Sequence, residues 1–218
     1  MQTNITFVPR RFNKKEAEAI VGTLSSPSKM PCHGYSIPAS NCVVGSQLRS
    51  MTNSVCSRCY ALKGRYVFPN VQAAMQRRLA SINDPRWVPA MAALIASTNN
   101  THFRWHDSGD IQSLAHLTRI AQVAELTPNV MHWLPTREYN IVENYLDMYG
   151  EFPANLVVRV SAHNVDNAAP KRFALTSTVH RSLSPIGFEC RAPYQGNQCG
   201  DCRACWDKAI GNVSYRDH

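Results

Sequence analysis

Three cysteines recur at intervals of two residues in the run Cys199-Gly-Asp-Cys202-Arg-Ala-Cys205, and Cys190 precedes them. Thiolates at this interval return to the same side of a tight loop, and the interval is typical of the ligands of cubane iron–sulfur clusters. A loop of this kind has to fold around one centre. We therefore expect a [4Fe-4S] cluster on these four cysteines. Zinc is the alternative metal, because Cys-x2-Cys pairs also build tetrahedral zinc sites.

The other four of the eight cysteines lie in the first third of the chain. Cys42, Cys56 and Cys59 supply three thiolates, and Cys32 is a candidate for a fourth. Four ligands close a cubane cluster, whereas three leave one iron open to a substrate. The two cysteine groups therefore predict two metal sites or one bipartite site, and the spacing does not decide whether the first group has three ligands or four.

Thiols bind metal only where they stay reduced, as in a cytoplasm. Basic residues occupy Met1–Lys15 without an apolar signal core behind them, and no run approaches the roughly 20 apolar residues that span a bilayer. We expect a cytoplasmic protein with neither disulfides nor a membrane partner.

A chain of 218 residues with 44% hydrophobic residues can bury one sizeable core. Short apolar runs alternate with amphipathic stretches, which predicts an α/β fold: a single domain, residues 1–218, with a parallel sheet or a partial (β/α) barrel. Its parts are an N-terminal cysteine loop at 25–65, a βα core at 100–165 and a C-terminal cysteine segment at 186–208. Strands are predicted at His102–Trp105, Val130–Leu134 and Asn155–Ser161. Helices are predicted over 13–24, around Val71–Leu79, from Trp87 to Ile95, after Ser113 and after Thr136.

Polar side chains follow each predicted strand, and the carboxyl ends of parallel strands form one rim where functional groups gather. The first strand is followed by His106-Asp-Ser108-Gly109-Asp110, the second by Thr136-Arg137-Glu138 and the third by Ser161-Ala-His163. Arg137 and Arg159 are candidates for binding an anionic group, and the carboxylates for orienting a polar one. Helix capping and ion pairing explain such residues equally well, and for Ser113 and Thr136 capping is the favoured interpretation.

The formal net charge of +8 allows nucleic acid as a partner, because Lys and Arg release counterions when they meet phosphate. Part of this charge lies beside the cysteines, where it offsets thiolates. The alternative hypothesis is a non-enzymatic nucleic-acid or host-protein binding module with structural metal sites. Trp105, Trp133 and Tyr139 near the rim would then stack bases.

Several motifs together resemble the bacteriophage proteins called gene product 88. The motifs are Ser28-Lys-Met-Pro31, Ser36-Ile-Pro-Ala39, Val55-Cys-Ser-Arg-Cys-Tyr-Ala-Leu-Lys-Gly64, Arg104-Trp-His-Asp-Ser-Gly-Asp110, Leu134-Pro-Thr-Arg137 and Cys199–Trp206. The resemblance covers most of the chain. It implies a phage origin, and so the host cell cytoplasm, but no particular reaction.

The order of parts also resembles a reduced radical S-adenosylmethionine enzyme, with a cysteine loop ending in Cys-x2-Cys-Tyr before the βα units. This resemblance implies that Cys42, Cys56 and Cys59 hold a cluster and that Ser108-Gly109-Asp110 faces the cofactor, S-adenosylmethionine. The interval between Cys42 and Cys56 is longer than in that superfamily, and fewer strands are evident than a full barrel needs. The C-terminal cysteines would hold an auxiliary cluster.

Taken together, these features predict a phage-encoded iron–sulfur protein with redox or radical-type chemistry on a substrate that the sequence does not identify. Ser108, Asp110, Arg137 and Arg159 are the catalytic candidates. Redox activity would also require an electron donor.

Overall fold

The computed structural model describes residues 12–217. Within them, seven strands form a single sheet in the order β1-β2-β3-β4-β5-β7-β6, and every neighbouring pair is parallel. The strands are β1 (Gly34–Tyr35), β2 (His102–Trp105), β3 (Met131–Thr136), β4 (Leu156–Ser161), β5 (Thr176–His180), β6 (Phe188–Glu189) and β7 (Asn212–Arg216). The sheet is open, with β1 and β6 as its outer strands. The predicted α/β fold with a parallel sheet is confirmed.

Six α-helices are described: α1 (Lys14–Val21), α2 (Val43–Leu48), α3 (Pro69–Ser81), α4 (Trp87–Ala96), α5 (Leu114–Leu126) and α6 (Tyr139–Tyr149). Local sequence explains where two of them begin. Asn13 and Glu16 exchange side-chain to backbone hydrogen bonds of 3.0 Å in a capping box at α1. The Ser113 hydroxyl accepts a hydrogen bond from the His116 backbone N–H at 3.1 Å and so caps α5, as predicted.

The five predicted helices and three predicted strands all form, with small shifts at their ends. One capping prediction is wrong. Thr136 is the last residue of β3, and Glu138 precedes α6 without capping it by a side-chain hydrogen bond. The predicted cysteine loop at 25–65 contains β1 and α2, which were not predicted, and β5, β6 and β7 were not predicted either.

The two faces of the sheet have different coverings. One face carries Phe103, Trp105, Leu134, Val158 and Val160, which join residues of the helices in the main hydrophobic core. Side chains alternate along a strand, so Arg104, Trp133 and Arg159 occupy the opposite face; Trp133 packs there against Trp206 of the C-terminal segment, residues 186–208. The chain before β1 and the chain after β6 contact each other over this second face, where the Cys199 backbone N–H donates to the Lys29 carbonyl. The sheet therefore curves toward this face, and we call it the concave face.

None of the helices between residues 12 and 217 is both long and apolar enough to cross a membrane. Arg10 and Arg11, on which the expected lack of a signal core partly depends, lie outside the described residues.

Candidate metal centres

Cys42, Cys56 and Cys59 come together beside the carboxyl ends of β2 and β3, and we call them the N-terminal thiol group. A Cβ added at Gly45 would lie 3.6 Å from the Sγ atoms of both Cys42 and Cys56, so these two sulfurs flank the same glycine. Burial is the main reason that the pKa of the Cys42 thiol is raised to about 12, and the charges of Asp110, Cys59 and Cys56 contribute to the rise. The structure therefore brings together three thiols that are up to 17 positions apart in the sequence.

Two sets of protein contacts hold the loop that carries these thiols. The Glu138 carboxylate accepts a hydrogen bond of 2.9 Å from the backbone N–H of Val44, two residues after Cys42. Val55, directly before Cys56, donates its backbone N–H to the His163 carbonyl at 2.9 Å. Rim residues therefore hold both ends of the segment between Cys42 and Cys56, and these protein contacts order it.

Asp110 is the best-anchored carboxylate on this rim. Its Oδ1 accepts hydrogen bonds from the Thr136 hydroxyl at 2.6 Å and from the Ile111 backbone N–H at 2.8 Å, and its Oδ2 accepts one from the Arg137 backbone N–H at 2.9 Å. Burial raises its pKa, and these three hydrogen bonds oppose the shift. A carboxylate has about four acceptor positions, so Oδ2 keeps capacity for one further donor.

Ser108 and Gly109 shape the turn that presents Asp110. Gly109 has a φ of +83°, and a Cβ at this position would lie 2.3 Å from Cγ1 and 2.7 Å from the carbonyl oxygen of Ile37. The Ser108 carbonyl accepts the Ile37 backbone N–H at 3.1 Å, while its buried hydroxyl has no partner among the described residues. Glycine is required here because of backbone packing against Ile37.

Of the two arginine candidates, Arg137 keeps an unused donor. Its Nε is buried without a hydrogen-bond partner in the described chain. Burial raises the pKa of the Cys56 thiol, and the positive charge of Arg137 opposes that rise. This guanidinium therefore lies close to the N-terminal thiol group and can attract an anion there.

Arg159 has a structural role that differs from the predicted one. It is fully buried, and its guanidinium donates to the carbonyls of Cys205 at 3.0 Å, Ala204 at 3.0 Å, Asp207 at 2.7 Å and Ile210 at 2.8 Å. Its donors are thus used to fasten the C-terminal segment to the concave face. The assignment of Arg159 to anion binding does not fit this geometry.

Cys190, Cys199, Cys202 and Cys205 also gather, and we call them the C-terminal thiol group. Burial raises the pKa of the Cys190 and Cys199 thiols, and each is raised further by Cys202. The pKa of the Cys205 thiol is raised to about 12, because burial outweighs the opposing hydrogen bond of 3.1 Å between its Sγ and the Tyr215 hydroxyl. The predicted four-cysteine set is therefore close together on the concave face.

Cys32 lies with the C-terminal thiol group and not with the cysteines nearest to it in sequence. It is buried in one apolar cluster with Trp133 and Trp206. Burial raises the pKa of its thiol to about 12, Arg104 opposes the shift, and Cys199 adds to it. A role for Cys32 as the fourth ligand of the N-terminal group does not fit this placement.

The donor chemistry of both groups suits a thiophilic metal. All eight cysteines are free thiols, and clustered thiolates are the ligands of iron–sulfur clusters and structural zinc. Within residues 12–217, however, no three His, Cys, Asp or Glu side chains converge closely enough to hold an ion in this conformation. Binding of a metal therefore requires side-chain rotation within each group.

Comparison with protein families matches residues 8–208 to the family described as gene product 88. The chain belongs to the gene product 88 family. No curated protein and no solved structure matches it. The comparisons give no support to the second resemblance, that to radical S-adenosylmethionine enzymes.

In this gene product 88 protein, sequence reasoning missed Arg104. Its guanidinium carbon lies 4.7 Å from the centroid of the Trp133 ring, and its Nη1 lies 3.6 Å from the Met30 sulfur. Its charge lowers the pKa of the thiols of Cys32, Cys199 and Cys205 against the effect of burial. Side chains alternate along a strand, so Arg104 lies on the face opposite to the core-facing Phe103 and Trp105. This alternation is the sequence signal that could have placed Arg104 on the second face of the sheet.

The two histidines predicted on the rim have different surroundings. The His106 ring is buried against the rings of Trp105, in the main core, and His116, on α5. His163 stacks on the Tyr139 ring at 4.1 Å, and its Nε2 forms a 3.2 Å hydrogen bond with the Arg137 carbonyl. Only His163 therefore remains a rim residue.

Proposed function

We propose that this protein is an iron–sulfur protein that carries out redox or radical-type chemistry at the rim beside the N-terminal thiol group. The observation that carries the proposal is that the eight free thiols gather in two places. The N-terminal thiol group lies at the rim, and the C-terminal thiol group lies together with Cys32 on the concave face. Thiolates without disulfide partners, collected from distant parts of a chain, are typical of metal ligation.

The two groups differ in what surrounds them, which supports different roles. The rim group has three thiols together with Asp110, Glu138 and Arg137. Three thiolates leave one iron of a cubane cluster open. When bound, such a cluster supplies an electron or a Lewis-acidic iron to a molecule at the rim.

The rim residues supply the matching binding functions. Asp110 is held rigidly by three hydrogen bonds and keeps one acceptor position for an amino or hydroxyl group. The Arg137 side chain supplies the charge that attracts a carboxylate. These two functions fit the amino acid part of S-adenosylmethionine, and Ser108-Gly109-Asp110 is the segment that we propose to face it.

The C-terminal thiol group lies on the concave face, where the Arg159 hydrogen bonds hold its segment against the sheet. Four or more thiols close the coordination of a cubane cluster or a zinc ion. We assign this group a closed centre, with an electron-transfer role if it holds iron and a structural role if it holds zinc.

The alternative of a nucleic-acid binding module loses its aromatic support. Trp105 and Trp133 are 0% and 4% exposed and cannot stack on bases, and Tyr139 is covered by His163. The net charge of +8 remains the argument for that alternative.

The test is anaerobic purification followed by measurement of iron, acid-labile sulfide and zinc per chain. About eight irons and eight sulfides are expected for two cubane clusters. A variant with Cys42, Cys56 and Cys59 replaced by serine should lose about half of the iron and keep the rest. Zinc without sulfide would contradict the proposal.

The open iron is tested separately, by electron paramagnetic resonance of the reduced protein with and without S-adenosylmethionine. The spectrum of the wild type should shift on addition of the cofactor, and the spectrum of the triple serine variant should not. An Asp110→Asn variant should keep its iron but need a higher cofactor concentration for the same shift. An unchanged wild-type spectrum would contradict cofactor binding at this rim.

A further inference from the structure

The C-terminal thiol group lies between the two ends of the open sheet. Cys32 comes two residues before the outer strand β1, and Cys190 comes directly after the other outer strand, β6. The sheet order puts five strands between β1 and β6. The two cysteines therefore enter the concave face from opposite edges.

Direct contacts join these edges through Cys199. The Cys199 backbone N–H donates to the Lys29 carbonyl at 3.2 Å, and its Sγ lies 3.9 Å from the Met30 sulfur. On the other side, the Cys190 backbone N–H donates to the Ser214 carbonyl of β7 at 2.9 Å. The chain before β1 and the chain after β6 thus meet at the same thiol group.

Cys32 has surroundings that suit a metal-bound thiolate. It is 7% exposed, so water does not compete for the sulfur. Burial raises the pKa of the free Cys32 thiol to about 12, and the charge of Arg104 and a backbone hydrogen bond from the same residue oppose that rise. Cationic and N–H groups around a thiolate are the usual outer partners of metal ligands.

We propose that Cys32 is a ligand of the C-terminal metal centre and that this centre cross-links the two outer strands, closing the open sheet across its concave face. The inference rests on the proposed function to the extent that it places a metal on the same thiols. It holds for zinc as well as for iron. Four thiolates suffice for either centre, so Cys32 takes one of the four positions among the five thiols.

Cross-linking of this kind has a thermodynamic consequence. A ligand bridge between residues far apart in the sequence removes conformational freedom from the unfolded chain, and the effect grows with the length of the closed loop. A centre that includes Cys32 and Cys190 closes a loop in which the two cysteines are 158 positions apart. A centre made only of Cys190, Cys199, Cys202 and Cys205 closes a short loop.

The ligand assignment is tested by titration with Co²⁺ in a full-length background in which Cys42, Cys56 and Cys59 are serine. Thiolate-to-cobalt charge-transfer absorption reports binding at the remaining thiols. Cys32→Ala and Cys32→Val should each weaken Co²⁺ affinity by at least about tenfold. Alanine leaves a cavity at this buried position and can weaken folding, whereas valine fills the apolar site. A loss of Co²⁺ affinity in both variants therefore reports the missing thiolate and not a folding defect.

Met30→Leu is the matched control, since Met30 touches the same group but supplies no thiolate. Its Co²⁺ affinity should equal that of the background. If both Cys32 variants bind Co²⁺ as tightly as the background, Cys32 only packs and the proposal is wrong.

The closing of the sheet is tested by amide hydrogen exchange on the same proteins. In the background protein, Co²⁺ should slow exchange at both edges of the sheet, that is, in peptides that contain residues 34–35 and in peptides that contain residues 188–189. In Cys32→Val it should slow exchange at 188–189 alone. Equal protection of both edges in Cys32→Val would overturn the cross-link.

These results separate the inference from the proposed function. Absence of iron and sulfide from the wild type, with Co²⁺ binding that depends on Cys32, would overturn the iron–sulfur function and leave the cross-link intact. Iron and sulfide in the wild type, with Co²⁺ binding independent of Cys32, would support the iron–sulfur function and overturn the cross-link.

Discussion

Arg159 shows how a charged residue can be buried at no loss of hydrogen bonds. Its guanidinium donates only to backbone carbonyls and forms an ion pair with none of the carboxylates of the described chain. The carbonyls are those of Thr176, Ala204, Cys205, Asp207, Ile210 and Gly211. Carbonyl oxygens are good acceptors for a guanidinium. The residue therefore acts as a clamp for the C-terminal segment.

Replacing Arg159 with methionine should destabilise the protein by about 3 kcal/mol, because several buried carbonyls lose their donor. The measurement is the free energy of unfolding from urea titration. Arg86→Met is the control. Arg86 pairs with Asp84 on an exposed surface, and its loss should cost under about 1 kcal/mol. Equal effects of the two substitutions would contradict the clamp.

His132 makes stability depend on pH. It is fully buried, accepts a hydrogen bond from Trp105 at 3.3 Å and bonds to Thr127 at 2.8 Å, and burial lowers its pKa from 6.5 to about 3. In the pH range between these values the unfolded chain binds a proton at this site and the folded chain does not. Stability is therefore lost as the pH falls below about 6.5.

We expect His132→Gln to reduce the loss of stability between pH 7.5 and pH 5.5 by about 1.4 kcal/mol relative to the wild type. Urea titrations of both proteins at the two pH values measure this difference. Glutamine keeps one donor and one acceptor but does not titrate. The same loss in both proteins would show that His132 does not set this slope.

At the scale of elements, the rim depends on a close contact between two turns. The turn after β2 packs against the chain after β1 at Gly109 and Ile37. Neither turn belongs to a helix or strand, and both precede residues of the candidate site. Their fit places Asp110 beside the N-terminal thiol group.

Gly109→Ala should therefore destabilise the protein by about 2 kcal/mol more than Gly150→Ala. Both glycines have positive φ values, +83° and +79°, so both substitutions strain the backbone. Only Gly109 has atoms within 4 Å of the added Cβ. Thermal unfolding of the two variants measures the difference, and equal midpoints would contradict a packing requirement at Gly109.

Elements differ in how well the sequence predicts them. α5 shows its Ser113 cap and an apolar face, and the buried strand β4 shows a nearly continuous apolar run. By contrast, β1 has two residues, and β5 reads Thr-Ser-Thr-Val-His with few apolar side chains. These strands form because neighbouring strands supply their hydrogen bonds, which local sequence does not encode.

At the scale of the whole molecule, the two thiol groups lie on one sheet but have different relations to it. The N-terminal group lies at the rim, where the loop contacts of Glu138 and His163 hold it. The C-terminal group lies across the concave face between the outer strands. Loss of metal should therefore affect the stability of the molecule mainly through the second group.

Removal of metal by a chelator should lower the free energy of unfolding. The expected decrease is about 2.7 kcal/mol if the free metal concentration before removal was about 100 times the dissociation constant of the centre. In a variant with Cys199 and Cys205 replaced by serine, the chelator should have a smaller effect. Urea titration with and without chelator measures both. An equal effect in the two proteins would place the stabilising metal elsewhere.

The sequence by itself determined the α/β class, the main helices and central strands, and the gathering of evenly spaced cysteines, because these follow from periodicity and spacing over short distances. It also supported membership of the gene product 88 family, now shown over residues 8–208. Only the tertiary structure decided that Cys32 joins the C-terminal group, that Arg159 binds carbonyls and that Arg104 faces the thiols. These facts depend on which strands are neighbours and on which face each side chain lies, and both are set by contacts between residues far apart in the chain.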